Sequence, residues 1–194
     1  NPQDIHKPAA GISRVQPPYV GVIHRLDKPV QGVMVYAKNQ KSAAALSAAL
    51  QAGKMEKSYM AVICGQLVDK QGSYVDYLRQ DRKNNTSEIV DKSVKDAKKA
   101  VLKYREMEVI HSPEDKEQMV SLIDIELLTG RHHQIRVQFA GHGTPLYGDG
   151  RYGGDISTIV DIKKKPAARG PLALCAYHLA FPHPVTGKRL VFEI

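Results

Sequence analysis

A pair of long runs with strand character, residues 100–110 and 119–128, constrains the fold more than any other feature of this sequence. Between them lies a short polar segment, residues 112–116, whose composition is typical of a loop. Strands joined by so few residues pair as an antiparallel hairpin, because a parallel pair needs a crossover of about a dozen residues or more. The sequence therefore predicts a fold built on an antiparallel sheet.

Other segments extend this sheet. Residues 57–65 alternate so that Tyr59, Ala61 and Ile63 share one face, as in a half-buried strand. Strands are also predicted over residues 32–37, 172–181 and 189–194. Because strand runs outnumber helical ones and neighbouring strands look hairpin-joined, the predicted fold class is α+β, with a mixed, mostly antiparallel sheet and few helices.

The first predicted helix is alanine-rich. Asn39 is a suitable N-cap, the helix continues to Gln51, and Gly53 ends it. This segment directly follows the predicted strand at 32–37, so strand and helix are adjacent along the chain.

A second, shorter helix is predicted after Thr129, which is expected to cap it. Helical spacing then turns Ile135 and Phe139 towards the core and places His132 and Arg136 together on another face. Gly141 and Gly143 are expected to end this helix.

Residues 1–194 are expected to form a single domain, since 42% hydrophobic content at this length supplies one sizeable core. Residues 1–20 contain four prolines and predict an irregular lead-in, and residues 156–171 predict a basic loop. No apolar run approaches the roughly 18 residues of a membrane span. Cys64 and Cys175 are widely separated and predict buried thiols, which fits the reducing cytoplasm.

The charge favours a polyanionic partner. The chain carries a net charge of +8 and has a pI of about 9.4. Basic residues cluster at 79–83, 95–103 and 163–169, and each cluster alone is compatible with a solvated surface. Further basic side chains that could contact phosphates are His24, Arg25, Arg131, His132 and His133. RNA is the partner that this distribution favours.

The segment His24-Arg25-Leu26-Asp27 places one carboxylate beside two basic side chains. An Asp shortly before Pro29 often serves only as a turn former. A distant segment, residues 129–136, supplies Arg136, a partner that would lower the pKa of Asp27 and keep it ionised, as a nucleophile requires.

Two other residues have both an ordinary and a functional interpretation. Arg25 is either a surface charge or a side chain that enters an RNA stack and fills the space of an extruded base. Tyr59 is either a core residue or a platform on which a base stacks.

Two other kinds of site are not supported. Residues 148–153 match the dinucleotide pattern G-x-G-x-x-G, but no strand precedes them and no helix follows, so a loop that needs positive φ angles is predicted. Among the eight histidines, His132 and His133 are expected on different sides of a helix, and no metal-ligand spacing is present. We therefore predict no metal.

Taken together, these motifs resemble the RluA-type RNA pseudouridine synthases. The resemblance rests on motifs that occur in the family's order from residue 21 almost to the end of the chain. These are His24 to Asp27 followed by Gly32 and an apolar run to Lys38, residues 57–62, residues 129–137, residues 143–149, residues 172–174, and His183-Pro184.

The resemblance implies that Asp27 is the catalytic nucleophile, Tyr59 stacks on the target uracil, Arg136 is the basic partner of Asp27, and Arg25 takes part in flipping the nucleotide. Such enzymes break the glycosidic bond of uridine, turn the base and rejoin it through carbon 5, without cofactor or metal. Together with the basic side chains named above, Lys57 is expected to bind RNA. The expected substrate is ribosomal or transfer RNA, and the protein is expected to act as a monomer in the cytoplasm, away from membranes.

Several positions depart from the family pattern. The family begins with a strand that this chain lacks, so we expect an N-terminal piece, and any appended RNA-binding domain, to be absent. Val30-Gln31-Gly32 replaces a Thr-Ser-Gly turn, and Gln138 and Cys175 replace His. The main alternative function is a catalytically silent RNA-binding module with the same fold. A metal-dependent RNA hydrolase would need a carboxylate or His cluster that the sequence lacks.

Overall fold

The computed structural model describes residues 17–112, 116–153 and 171–194. Within these ranges the helices are α1 (Gln40–Gln51) and α2 (Gln134–Gly141). The strands are β1 (Gly21–Val22), β2 (Gln31–Gly32), β3 (Tyr36–Ala37), β4 (Glu56–Cys64), β5 (Gln71–Asp81), β6 (Thr86–Val90), β7 (Lys98–His111), β8 (Met119–Leu127), β9 (Leu174–Pro182) and β10 (Arg189–Glu193).

Most strands belong to one sheet, in the order β10-β9-β4-β8-β7-β5-β6. Neighbours along this path are antiparallel, whereas the short β2 joins β9 in parallel, which makes the sheet mixed. Strands β1 and β3 form a separate two-stranded sheet. The predicted fold class is therefore confirmed.

The hairpin expected from the two long runs is formed by β7 and β8. Their pairing extends from Leu102 opposite Leu127 to His111 opposite Met119, with an irregularity between Glu106 and Glu108. Part of the connecting loop, residues 113–115, lies outside the described residues. On the core face, β4, β7 and β8 contribute fully buried residues, namely Ala61, Ile63, Leu102, Ile123 and Ile125.

Helix α1 confirms its prediction. The Asn39 side chain accepts a hydrogen bond from the Ser42 N–H at 2.8 Å, which satisfies a donor at the helix N-terminus. After the helix, Gly53 has a φ of 67°, a left-handed conformation that glycine adopts at little cost. Neither helix of the described ranges is long and apolar enough to cross a membrane.

Helix α2 begins five residues later than the predicted cap at Thr129, and that prediction is wrong. The residue before the helix is His133, in the left-handed region with φ 52° and without a side-chain cap. Thr129 instead donates its hydroxyl to Gln134 Oε1 at 2.7 Å and accepts the Val101 N–H at 2.8 Å. Since His132 precedes the helix, it does not share a helical face with Arg136.

The inward orientation of Ile135 and Phe139 is confirmed, and it is part of a wider burial. All six residues of 134–139 are buried, including Gln134, Arg136 and Gln138. A helix with polar side chains buried in its first turns requires partners for them within the protein. The α2 segment is therefore built as much by polar contacts as by its apolar face.

The strand predicted over residues 32–37 is interrupted. Only Gln31–Gly32 and Tyr36–Ala37 are strands. Gly32 has a φ of 136°, and a Cβ there would overlap the Ala176 carbonyl oxygen. Because of this close approach, residue 32 must be glycine, and β2 anchors the preceding loop, residues 23–30, against β9.

Strands β5 and β6 were not predicted. The inward face of β5 includes Asp76, whose carboxylate accepts a hydrogen bond from Gln138 Nε2 at 2.7 Å. A half-buried carboxylate in that position interrupts the apolar alternation from which strands are predicted. Residues 1–16 and 154–170, which contain most of the predicted lead-in and the basic loop, lie outside the described residues.

Candidate active site

Asp27 lies in the loop between β1 and β2, at the edge of a polar cluster contributed by α2 and the loop after it. The loop turns at this point, because the Val30 N–H donates to the Asp27 backbone oxygen at 2.8 Å. The Asp27 side chain is 28% exposed, and its Oδ2 lies 3.8 Å from His133 Nε2 and 3.9 Å from Arg136 Nη1. Both separations exceed hydrogen-bonding distance, so the carboxylate is approached by two nitrogens but is not tied to either.

Arg136 binds tightly to a different carboxylate, that of Asp149. Arg136 Nε donates to Asp149 Oδ2 at 2.8 Å and Nη2 donates to Oδ1 at 2.7 Å, a bidentate pair with side-chain exposures of 7% and 0%. Asp149 Oδ1 also accepts the backbone N–H groups of Arg151 and Tyr152. The Arg136 to Asp27 contact expected from the sequence is therefore present only as a longer-range contact, and Asp149 fixes the guanidinium.

The pKa of Asp27 is raised above its ordinary value, and the sequence-based prediction of a lowered pKa is wrong. Burial is the largest cause, and the Asp149 carboxylate adds to it. Arg136, His132 and Arg25 act in the opposite direction but do not outweigh burial. Arg136 is the strongest of these opposing charges, but its guanidinium is bound bidentately by Asp149 and is 3.9 Å from Asp27, so it does not fully compensate for the lost hydration of Asp27.

The pKa of Asp149, the carboxylate bound to Arg136, shifts in the opposite direction to the pKa of Asp27. Burial would raise the pKa of Asp149, but the hydrogen bonds and charge of Arg136 hold this pKa below its ordinary value. Burial would likewise lower the pKa of Arg136, but Asp149 raises it. Asp149 and Arg136 thus remain ionised together, and Asp27 is the carboxylate with the weaker support.

His132 and His133 stack on one another, with ring centroids 3.7 Å apart, so the expectation that they point to different sides is wrong. Ser87 Oγ lies 2.9 Å from His132 Nδ1, and the Tyr152 hydroxyl lies 2.6 Å from His133 Nδ1. Burial lowers the pKa of both rings, for His133 to about 4, where His132 and Arg136 contribute as well. At neutral pH these rings therefore act as uncharged hydrogen-bonding groups.

Tyr59 extends from β4 into the core cluster and is 8% exposed. Burial, with a contribution from the Asp27 carboxylate, raises the pKa of Tyr59 to about 12. The structure therefore places Tyr59 both in the core and within electrostatic reach of Asp27. At neutral pH its hydroxyl is protonated.

The remaining basic residues of the sequence prediction surround Asp27 at different depths. Arg25 is exposed and forms no hydrogen bond or ion pair with the described part of the chain. The Lys57 Nζ lies beside Gly130, because a Cβ added to this glycine would be 3.4 Å from the Nζ. Arg131 is exposed, and its Nε donates to the Lys99 carbonyl at 2.8 Å.

His24 is half-buried, and its Nε2 accepts the Val35 N–H at 3.4 Å. Its pKa is lowered by burial and by the neighbouring Lys57, whose own pKa is lowered by burial. His24, His132 and His133 are three of the side chains predicted to bind RNA, and because their pKa values are lowered they carry no full positive charge at neutral pH. Arg25, Lys57 and Arg131 provide the cationic part.

Asp149 and Tyr152 belong to the glycine-rich segment for which only a loop was predicted. Gly148 does have a positive φ of 78°, in agreement with that prediction. Residues 143–149 also entered the sequence analysis as a motif of the family resemblance, but the contacts of Asp149 and Tyr152 were missed because nothing in the local sequence distinguishes a buried Asp from a turn former. Among residues 17–112, 116–153 and 171–194, no group of three or more His, Cys, Asp or Glu side chains is placed to hold a metal ion.

Comparison with known proteins identifies relatives for most of the chain. The profile of a family described as RNA pseudouridylate synthase matches residues 4–141. An uncharacterized RNA pseudouridine synthase of Aquifex aeolicus is 36% identical over 193 residues, which cover 97% of this chain and 56% of that protein. A ribosomal large subunit pseudouridine synthase D of Xanthomonas campestris is 34% identical over 175 residues, 88% of this chain and 50% of that protein.

The fold has solved counterparts. Human RNA pseudouridylate synthase domain containing 1 superposes with a TM-score of 0.74 at 20% identity, covering 91% of this chain and 69% of that one. Human RNA pseudouridylate synthase domain containing 4 gives a TM-score of 0.65 at 22% identity, covering 90% of this chain and 70% of that one. The chain spans about half the length of the curated relatives it matches.

Proposed function

This chain belongs to the RNA pseudouridylate synthase family, and we propose that it isomerises specific uridines in structured RNA to pseudouridine, with Asp27 as the nucleophile. The observation that carries the proposal is the position of Asp27. It is a partly exposed carboxylate approached by Arg136 and His133, and close enough to Tyr59 to raise the pKa of that residue. A carboxylate that is poorly compensated in the free protein is well suited to attack an electron-poor carbon.

The reaction needs few participants. The bond between uracil N1 and the ribose C1′ breaks, the base turns, a bond forms between C5 and C1′, and the C5 proton is lost while N1 gains one. The product has the composition of the substrate, so no oxidant, reductant or cofactor is consumed. Asp27 forms and releases a covalent bond, and Arg136 keeps a positive charge beside it.

Ribosomal or transfer RNA is the proposed substrate, and the protein is proposed to act on it as a monomer in the cytoplasm, with no small-molecule cofactor and no membrane. Relatives named as ribosomal large subunit pseudouridine synthases support the ribosomal assignment. Pseudouridines should be mapped in both RNA classes from cells with and without the gene. We expect a few sites in one class to disappear and to return with the wild-type gene but not with Asp27→Asn.

The ring and the hydroxyl of Tyr59 should have separable effects. Tyr59→Phe keeps the aromatic face and should leave RNA affinity nearly unchanged while slowing release of the C5 proton. Tyr59→Leu also removes the stacking face, which is worth about 1–3 kcal/mol for a base, so affinity should fall by roughly 5- to 150-fold. Binding titrations and single-turnover tritium release measure the two effects. Near-wild-type values for both variants would return Tyr59 to a purely structural role.

Arg25 is proposed to fill the space of the extruded uridine, because it is exposed, has no ion-pair partner among the described residues and lies two residues before Asp27. Extrusion from a stack costs a few kcal/mol, and an unpaired uridine needs less help. Arg25→Ala should therefore lose at least about tenfold more single-turnover rate on a uridine in a stem than on one in a flexible strand. Lys28→Ala, an exposed cation in the same loop, is the matched control and should affect both RNAs equally. If Arg25→Ala lost the same factor in single-turnover rate on both RNAs, Arg25 would be an ordinary phosphate contact.

A further inference from the structure

Tyr152 contacts three parts of the site. Its hydroxyl accepts the backbone N–H of Ser87 at 2.9 Å and lies 2.6 Å from His133 Nδ1. Its ring packs edge-on against His133, with centroids 5.5 Å apart, and lies under the Arg136 guanidinium at 5.0 Å. Tyr152 therefore connects strand β6 to two of the groups that approach Asp27.

The positions of these atoms determine where the protons lie. His133 Nε2 faces Asp27 Oδ2 at 3.8 Å, and a bare nitrogen lone pair would repel the carboxylate there. The proton of the neutral imidazole therefore belongs on Nε2, which leaves Nδ1 as an acceptor. The Tyr152 oxygen already accepts from Ser87, so its own proton is available to His133 Nδ1. In this arrangement the hydrogen bonds from Ser87 to Tyr152 and from Tyr152 to His133 each have one donor and one acceptor, and the His133 Nε2–H faces Asp27.

We propose that Tyr152 is a positioning residue for the isomerisation: its hydroxyl fixes the His133 tautomer that carries hydrogen on Nε2, and so directs an N–H at Asp27 Oδ2. The proposal rests on the function proposed above. Both nitrogens that approach Asp27 are near Oδ2, so a shift of about 1 Å would give that oxygen hydrogen bonds from His133 and Arg136. The other oxygen, Oδ1, is then the one left to attack.

Strand β6, which was not predicted from the sequence, contributes to this positioning through Ser87. The backbone N–H of Ser87 donates to the Tyr152 hydroxyl, and the Ser87 hydroxyl hydrogen-bonds to His132. His132 in turn stacks on His133. The two contacts are separable by mutation. Ser87→Ala removes only the side-chain bond to His132, whereas Tyr152→Phe removes the bonds to His133 and to the Ser87 N–H and leaves the aromatic packing in place.

The direct test is the ¹⁵N NMR spectrum of the imidazole nitrogens, whose shifts and couplings distinguish the two neutral tautomers. His133 is assigned by comparison with His133→Asn, since Asn tolerates the left-handed backbone at that position. We expect hydrogen on Nε2 in the wild type and in Ser87→Ala. In Tyr152→Phe we expect a mixture of tautomers or transfer of the hydrogen to Nδ1.

A kinetic measurement accompanies the spectrum. Tyr152→Phe should lower kcat by about 3- to 10-fold with little change in KM for RNA, since the lost hydrogen bond orients a catalytic group and touches no substrate. Tyr177→Phe is the matched control, because its hydroxyl donates to Asp124 at 3.0 Å and has no hydrogen bond to Asp27, His133 or Arg136 in the described part of the chain. That variant should retain both kcat and the His133 spectrum.

Three results would overturn the proposal: hydrogen on Nδ1 in the wild type, an unchanged tautomer in Tyr152→Phe, or an altered tautomer with unchanged kcat. The wild-type spectrum alone tests the tautomer, even if Tyr152→Phe folds poorly. If the wild type forms no pseudouridine, the proposed function has failed, and the spectra still decide whether Tyr152 sets the tautomer.

Discussion

Replacing Asp149 with Ala should lower the free energy of unfolding by about 3–5 kcal/mol, because the change leaves the buried Arg136 guanidinium without its bidentate partner. The Asp149 side chain is fully buried and Arg136 is 7% exposed, so solvent cannot replace the lost hydrogen bonds. The backbone N–H groups of Arg151 and Tyr152 lose an acceptor as well. Urea unfolding followed by circular dichroism measures the effect.

The matched control is an ion pair of similar length on the surface. Arg79 and Glu88 are joined at 2.6 Å but have side-chain exposures of 47% and 52%. Glu88→Ala should therefore change stability by no more than about 1 kcal/mol. Arg136→Met combined with Asp149→Ala should cost less than the sum of the single changes, since it removes both charges. Equal effects for Asp149→Ala and Glu88→Ala would contradict the structural role of the buried pair.

This stabilisation has a defined pH dependence. The pKa of Asp149 in the folded protein is below its ordinary value of 3.8, so the unfolded chain takes up the proton first as the pH falls. The contribution of Asp149 is therefore fully present above that ordinary value and disappears as the pH falls through the folded pKa. The stability difference between wild type and Asp149→Ala should shrink correspondingly in acid.

Asp27→Asn should abolish turnover while making the protein more stable at neutral pH. The amide keeps the shape of the carboxylate but cannot form the covalent bond to the substrate, so the single-turnover rate should fall by at least about 10³-fold. RNA affinity should change little, because the cationic residues remain. Tritium release from RNA labelled at uridine C5, measured beside a binding titration, separates the two quantities.

The gain in stability follows from the raised pKa of Asp27. A folded-state pKa above the ordinary value of 3.8 means that folding disfavours the ionised carboxylate, and this cost is present at all pH values above the folded pKa. A neutral Asn does not have this cost, so the Tm of Asp27→Asn should exceed that of the wild type at pH 7 and not at low pH. A lower Tm at pH 7 would show that Arg136 supports Asp27 more strongly than the structure indicates.

The sequence predicted the parts of the fold that follow from local patterns. The hairpin of β7 and β8, the strand containing Tyr59 and the cap at Asn39 all depend on residues close together in the chain. Thr129 was wrongly predicted as a cap because a side chain that suits a helix N-terminus can equally well bind Val101 and Gln134. Only the tertiary structure decides between these uses.

The sequence predicted that Asp27 and Arg136 share one candidate site, but it did not predict the electrostatics of that site. Asp27 and Arg136 lie near one another, as the motifs indicated. Their pairing was overestimated because Asp149, which binds Arg136 more closely, comes from a loop whose motif indicated the family but not an ion pair with Arg136. The local sequence also does not indicate that the polar side chains of Asp27 and His133 are partly buried. This burial raises the pKa of Asp27 and lowers the pKa of His133.

Formation of pseudouridine by the wild-type protein tests the central proposal most directly. The protein is incubated with unmodified ribosomal and transfer RNA labelled with tritium at uridine C5, and the RNA is digested to nucleosides for chromatography. We expect pseudouridine to form in one of the two RNAs, with one tritium released for each pseudouridine, and we expect Asp27→Asn to give neither. Tight binding of both RNAs by the wild type without any pseudouridine would contradict the proposal and would support a catalytically silent RNA-binding module.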